Sequence, residues 1–461
     1  MTEKMSKAER KELGKSARRA TPRDVHGDWT PDPARPDPVS LLEEQNQERV
    51  PWLVPIRHAR MRVSPFTFYR GSARIMAADL AGTPTSGLET QIGGDAHLSN
   101  FGAYASPERQ LVFDQNDFDE TLPGPWEWDL KRLAASFIIA GQHLGFTKSE
   151  CRRATSEVTR SYRDAMAGFA KLGFLELWYN YVSADDVAQA SRLAKGPSAA
   201  RVKRFQQHAM RKNNLQALEK LAEKVDGHYR IRTDLPVLFP LRDLPDVADP
   251  SVFEAAATAA FEAYKQTVDD HMRFLLDRYA LVDIGVKVVG VGSVGTRCLV
   301  LLLEGRDDQD PLFLQAKEAS ASVLEDHLGP SRYDNHGRRV VEGQRLMQAE
   351  TDIFLGWTEG KKLGGRHFYI RQLRDWKGSI EVEGGTRKQL VFYAGLCGTT
   401  LARGHARSGD AAAIRSYAGG GVALDKAITA FAESYAAQNL ENFHRFEEAI
   451  SSGRLEVADL V

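Results

Sequence analysis

Apolar positions along this chain change period several times, and the changes mark its elements. Residues 1–38 hold no sustained period: Lys and Arg are scattered early and Pro31, Pro33, Pro36 and Pro38 follow, the composition of a flexible polar arm. A short helix is predicted over 39–46, with Ser40 as its cap and Glu43 three residues on. Between 72 and 80 apolar residues recur at helical spacing, with Arg70 and Gly71 at the entrance. Helical patterns return over 147–182 and 198–225, Pro236 and Pro240 mark a break, and a long amphipathic helix is expected over 251–279. Residues 286–305, VKVVGVGSVGTRCLVLLLEG, then read as strand, glycine turn and strand, and PLFLQAKEA adds another. Residues 367–373 give a further strand and 389–405 a helix.

Composition narrows the class. A chain of 461 residues has room for two or three core-bearing units, and 42% hydrophobic with 27% charged residues is ordinary for a globular protein. A net charge of -1 offers no general attraction for nucleic acid or an acidic membrane surface, so neither is expected as a partner. The three cysteines, Cys151, Cys298 and Cys397, are far apart and odd in number, which argues against a disulfide scaffold or zinc site and fits a reducing, cytoplasmic setting. No apolar run approaches the roughly 18 residues of a spanning helix.

The chemistry concentrates between residues 92 and 133, in IGGDAHLSNFG and LVFDQNDFDETLPGPWEWDLKRL. Asp95 precedes Asn100 by five positions, the spacing at which a loop Asp takes a hydroxyl proton while the Asn oxygen turns back to Mg2+. In NDFDE, Asp117 and Asp119 flank Phe118, so an extended backbone directs both carboxylates to one side and the ring to the other. A single Asp is more often a turn or cap residue than a ligand. The ordered set is more specific, and it resembles the catalytic half of aminoglycoside phosphotransferase-like and choline kinase-like enzymes. Gly94, Asp95, His97 and Asn100 match the catalytic loop of that group, Asp117 to Asp119 its metal site, and Trp128, Asp129 and Leu130 its following helix start. Gly93 stands where that group usually has His. The longer motifs RMRVSPFTFYRGSA, GDAHLSNFG, NDFDETLPGPWEWDLKRL, RVVEGQRLMQ and LARGHARSGD are similar to a bacterial family known chiefly as a domain of unknown function, which implies kinship but no substrate.

Gly290, Gly292 and Gly295 form GxGxxG, a weak signal alone. Strand-forming residues follow them, so a dinucleotide fold is disfavoured. A glycine bend whose amides around Ser293 cover ATP phosphates is preferred, with a plain hairpin turn as the bland alternative. Lys317 in an apolar strand needs a counter-charge, and phosphates with a helix Glu supply one. Glu342 is the expected partner, Glu350 the alternative, while Glu318 points to the other face of the strand. The glycine and lysine segments follow the catalytic segments here, the reverse of the usual order.

The expected fold is therefore α+β, a protein kinase-like two-lobe fold, circularly permuted, with a large helical portion. It divides into a flexible arm (1–38), a catalytic-loop and metal-site part (39–146), a helical insert (147–280), a small β-rich ATP-binding lobe (281–376) and a helical remainder (377–461). Under this reading Asp95 deprotonates an acceptor hydroxyl, His97 braces the loop, Asn100 and Asp117 hold Mg2+ and Asp119 assists. Lys317 grips the phosphates, Arg70 is an additional anion contact and Asp129 receives backbone amides. One ATP with its metal must bridge the parts, so Lys317 should lie within about 15 Å of Asp117. A nucleotide-binding regulator without turnover and an adenylyl transferase with reversed nucleotide are the rivals. The sequence leaves the acceptor and the oligomeric state open.

Overall fold

A six-stranded antiparallel sheet and a helical layer divide most of the buried apolar side chains in the computed structural model, which describes residues 5–193, 196–243, 250–288, 290–373, 375–379 and 382–459. The sheet runs in the order Gly356–Gly360, Arg366–Gln372, Pro311–Ala319, Cys298–Glu304, Ala280–Lys287, Leu238–Pro240. The strand, glycine turn and strand read from residues 286–305 thus form an antiparallel hairpin, with Leu299 opposite Val286. The next strand sets Lys317 between Cys298 and Tyr369. Its neighbour CLVLLLE is apolar and buried from Cys298 to Leu303, with both faces covered. Leu299, Leu301 and Leu303 join Phe261, Tyr264 and Leu276 on one side, and Val300 and Leu302 join Leu218 and Leu221 on the other.

The helical layer is built on Trp126–His143, whose residues are buried from Trp126 to Gly141, the charged Glu127, Asp129, Lys131 and Arg132 of its first turns among them. Lys148–Phe169, Arg387–Ser408 and Ala423–Ser451 surround it. Lys148–Phe169 and Arg387–Ser408 approach so closely at Gly398 that a Cβ there would stand 2.3 Å from the Val158 carbonyl oxygen. Two small sheets connect the layers. Glu89–Ile92 pairs with Leu122–Pro125, and Phe101–Ala105 with Leu111–Gln115. The Asp95 loop leaves the first pair for the second and the Asp117 turn makes the return, so two segments read separately in the sequence emerge side by side.

Several boundaries differ from expectation. Part of the anticipated flexible arm forms the helix Lys7–Ala20, opened by a Ser6–Glu9 capping box and seated through Gly14 on Ala413. Trp29 then packs its ring edge on Phe431 at 5.7 Å. The helix Pro38–Asn46 is capped by Asp37, which accepts the Ser40 amide, and not by Ser40. The stretch 198–225 splits into Ala199–Met210, Asn214–Leu221 and a strand, Ala222–Val225, that folds back on His228–Ile231. The long helix over 251–279 is broken into Pro250–Tyr264 and Asp270–Leu276. The helices expected over 72–80 and 389–405 are Ala73–Ala81 and Arg387–Ser408. No helix among the described residues is long and apolar enough to cross a membrane.

Candidate functional site

The Asp95 loop is fixed from below. Asp129, in the first turn of Trp126–His143, accepts the Gly93 amide at 2.7 Å and the Gly94 amide at 2.9 Å, the role its position implied. Gly94 has φ +79, and a Cβ there would meet the Glu120 carbonyl oxygen at 2.4 Å, so both backbone shape and space require glycine. Arg132, one turn beyond Asp129, donates its Nε to Asp95 Oδ1 at 2.7 Å and stacks over Tyr69 at 4.2 Å. Burial raises the Asp95 carboxyl above its ordinary value, with Arg132 pulling against it. His97 lies with Nε2 3.7 Å from Asp95 Oδ2, and burial followed by the charges of Arg132 and Arg70 holds it neutral. Asn100 donates its amide to the Asp95 carbonyl at 2.8 Å, which leaves its side-chain oxygen for other use.

The second segment closes on the sheet. Phe118 is buried beside Ala319, Val340, Val341 and Tyr369, and Asp117 and Asp119 both reach Lys317, as the alternation predicted. The ammonium of buried Lys317 pairs with Asp119 and stands 3.9 Å from Asp117, inside the expected limit of about 15 Å. The Tyr369 hydroxyl donates to Asp119 at 2.7 Å. Burial opposes ionisation of Asp117, but Lys317 and then Arg371 outweigh it and hold that carboxyl below the usual range. Lys317 is raised well above an ordinary lysine, its burial overcome by Asp117 and Asp119.

Glu342 is not the partner of Lys317. It meets Arg345 at 3.8 Å on the outer side of the helix His336–Met347. The buried positions Val340, Gln344 and Met347 explain this, because at about 100° per residue position 342 faces away from them. Arg339 is the side chain of that helix that reaches the acidic turn, donating to the carbonyls of Asp119 at 2.7 Å and Thr121 at 2.8 Å. Glu318 lies on the opposite face of its strand, paired with Arg366 at 2.7 Å.

Asp95, His97, Asn100, Asp117, Asp119, Arg70, Gly290, Gly292 and Ser293 line one cavity of about 420 Å3. Gly295 does not line it and packs on the Arg49 side chain. The glycine loop is tied down by the segment before residue 71. Arg60 donates to the Gly290 carbonyl at 2.8 Å, Val50 to that of Gly295 at 2.8 Å, and Arg49 to that of Val294. The sequence reading overlooked Arg132, Tyr369, Arg339, Arg371 and Glu120. Glu120 also lines the cavity, and burial pushes it up to about 7 against the Val323 amide it accepts at 2.8 Å. The dense acidic run NDFDE was the available signal for a raised carboxyl, and Arg132 sits within the same WEWDLKRL motif as Asp129.

No curated protein and no solved structure matches the chain. A family model does, over residues 49–449, a span that contains both acidic segments, the glycine loop and Lys317. The chain therefore belongs to the family described as "Uncharacterized protein conserved in bacteria (DUF2252)".

Proposed function

We propose that this protein is a Mg-ATP-dependent phosphotransferase of kinase-like, circularly permuted design that acts on a hydroxyl-bearing acceptor. The observation that carries the reading is the meeting of Lys317 with Asp117 and Asp119, some 200 positions earlier in the chain, beside a glycine loop and a cavity shared with Asp95 and Asn100. Asp95 accepts the proton of the acceptor hydroxyl. Arg132 fixes Oδ1 and so leaves Oδ2 to that task. His97, held neutral, braces the loop without competing for the proton.

Asp117 and the Asn100 side-chain oxygen suit Mg2+. One is a carboxylate held ionised by Lys317, the other an amide oxygen whose partner NH2 donates to the Asp95 carbonyl and so fixes the side chain. Among the described residues no group of three or more His, Cys, Asp or Glu side chains is arranged to hold a metal alone. That fits a cation completed by phosphate oxygens and water. Bound there, Mg2+ would supply charge neutralisation to the phosphates. Asp119, engaged by Lys317 and Tyr369, positions the lysine instead. Lys317 and the amides of the glycine loop bind the phosphates.

The test is incubation with Mg2+ and ATP labelled separately at the alpha and gamma phosphates. Gamma label on an acceptor supports phosphotransfer, alpha label replaces it with adenylyl transfer, and nucleotide binding without either makes the protein a regulator. Indifference to ATP with divalent ions, unchanged in Asp117→Asn and Lys317→Met, removes the proposal altogether.

A further inference from the structure

A cavity of about 150 Å3 lies where the helical insert meets the strand Leu111–Gln115 and the helix Arg387–Ser408. None of its lining residues among those described also lines the Asp95 cavity. Leu111 and Phe113 form one wall, Leu390 and Tyr393 a second, and Val202 and Phe205 of Ala199–Met210 a third.

Protein interiors are closely packed and rarely keep a void larger than a water molecule. This one stays open because its walls are pinned from behind. The Tyr393 hydroxyl donates to the Leu98 carbonyl at 2.6 Å and to the Phe101 carbonyl at 3.0 Å, and its ring meets Phe113 edge-on with centroids 6.0 Å apart. On the insert, Ala209 is buried with Ala103 and Leu111, and Phe205 abuts Gly378 so closely that a Cβ there would stand 2.8 Å from the Phe205 ring. The insert helix is thus seated on the small sheet at a fixed distance.

The lining changes character from inside to outside. Its buried part, with Phe113, Val202, Leu390 and Tyr393, is apolar, whereas Arg201, the one charged side chain in the lining, is exposed and so stands at the mouth. Among the described residues Arg201 has no ion pair. Gln389 also lines the cavity. Its oxygen accepts from the Thr386 amide at 2.7 Å and the Thr386 hydroxyl at 3.0 Å, so its nitrogen is left to donate. Gln206 gives its own amide to the Ala184 carbonyl at 3.3 Å. An uncompensated guanidinium at the entrance of an apolar chamber suits a molecule with a carboxylate at one end and hydrocarbon at the other. A dry cavity of this volume takes a ligand of about six carbons.

We propose that this cavity binds a free medium-chain carboxylate, its hydrocarbon against Phe113, Val202, Leu390 and Tyr393 and its head group on Arg201. The assignment goes beyond the phosphotransferase reading and does not depend on it.

Ligand-observed NMR titration with sodium heptanoate, whose carboxylate carries six further carbons, tests the site, with 1-heptanol as the uncharged match. The wild-type protein binds heptanoate about tenfold more tightly than heptanol. Arg201→Gln, at an exposed position, removes that preference and keeps the affinity for heptanol. Ala184→Leu, which puts a larger side chain into the cavity from the helix Ala184–Leu193, loses both ligands, its folding checked by melting temperature. Absence of heptanoate binding by the wild type, or equal heptanoate binding by the wild type and both folded variants, overturns the proposal. Equal wild-type affinity for the two ligands makes the chamber an uncharged apolar site and overturns the carboxylate assignment. Heptanoate binding by a protein that transfers no label from ATP would defeat the phosphotransferase reading and leave this site standing.

Discussion

Arg132 gives Asp95 a planar two-nitrogen clamp that a lysine or a backbone amide does not reproduce, and it also lowers a carboxyl that burial raises. Under the proposed phosphotransfer it acts on chemistry only through Asp95. Arg132→Gln is therefore expected to move the acid limb of the rate profile to higher pH while nucleotide affinity changes little, which single-turnover rates and equilibrium titration separate. A purely structural role would alter both together. Glu120 yields a second expectation. Its folded value of about 7 lies above its ordinary 4.5, so between those values the folded state retains a proton that the unfolded chain has released. Stability contributed by the protonated form is full below about 4.5 and is lost as pH rises toward 7. Glu120→Gln keeps an acceptor for the Val323 amide and removes the titration. The stability of the variant relative to wild type should rise between pH 5 and 7 and level off above, as read from denaturation midpoints across that range.

At the scale of elements, the contact at Gly398 sets how closely Lys148–Phe169 and Arg387–Ser408 pack, and a methyl group there meets backbone that cannot turn aside. Gly398→Ala should cost about 1–3 kcal/mol in chemical denaturation, despite the better helix propensity of alanine. Much at this scale could be read from the chain. Both acidic segments, the glycine hairpin and the strand bearing Lys317 carry strong local patterns, and each element occurs near its expected place. The failures have local causes. Asp226-Gly227 is a two-residue hairpin turn, with φ of 51 and 85, just past the helical pattern read to 225, and periodicity without it makes the strand Ala222–Val225 the end of that helix. Asp269 starts a new helix where periodicity alone continued the old one. The Glu342 assignment fixed on charge and ignored the apolar stripe that turns the residue outward. The helix Lys7–Ala20 has too little apolar content to announce itself and is held by contacts such as Gly14 on Ala413 and Arg10 with Asp410, information that resides in residues about 400 positions away.

Across the whole molecule, groups far apart in the chain meet because two loops spring from one pair of small sheets while the larger sheet presents Lys317 to them. No periodicity encodes that meeting; only the ordered motifs hinted at it. The cover over the resulting space has a property of its own. Arg49, Val50 and Arg60 grip carbonyls along residues 290–295, so that segment already has a defined shape before any visitor arrives. Its ordering entropy has been spent during folding rather than at docking. In deuterium solvent the amides of Val294 and Thr296, which donate to the Val291 and Ser293 carbonyls within that fixed segment, should consequently exchange slowly in the ligand-free protein. Arg60→Ala, which severs an exposed tether to Gly290, should accelerate that exchange while leaving the global melting temperature nearly unchanged.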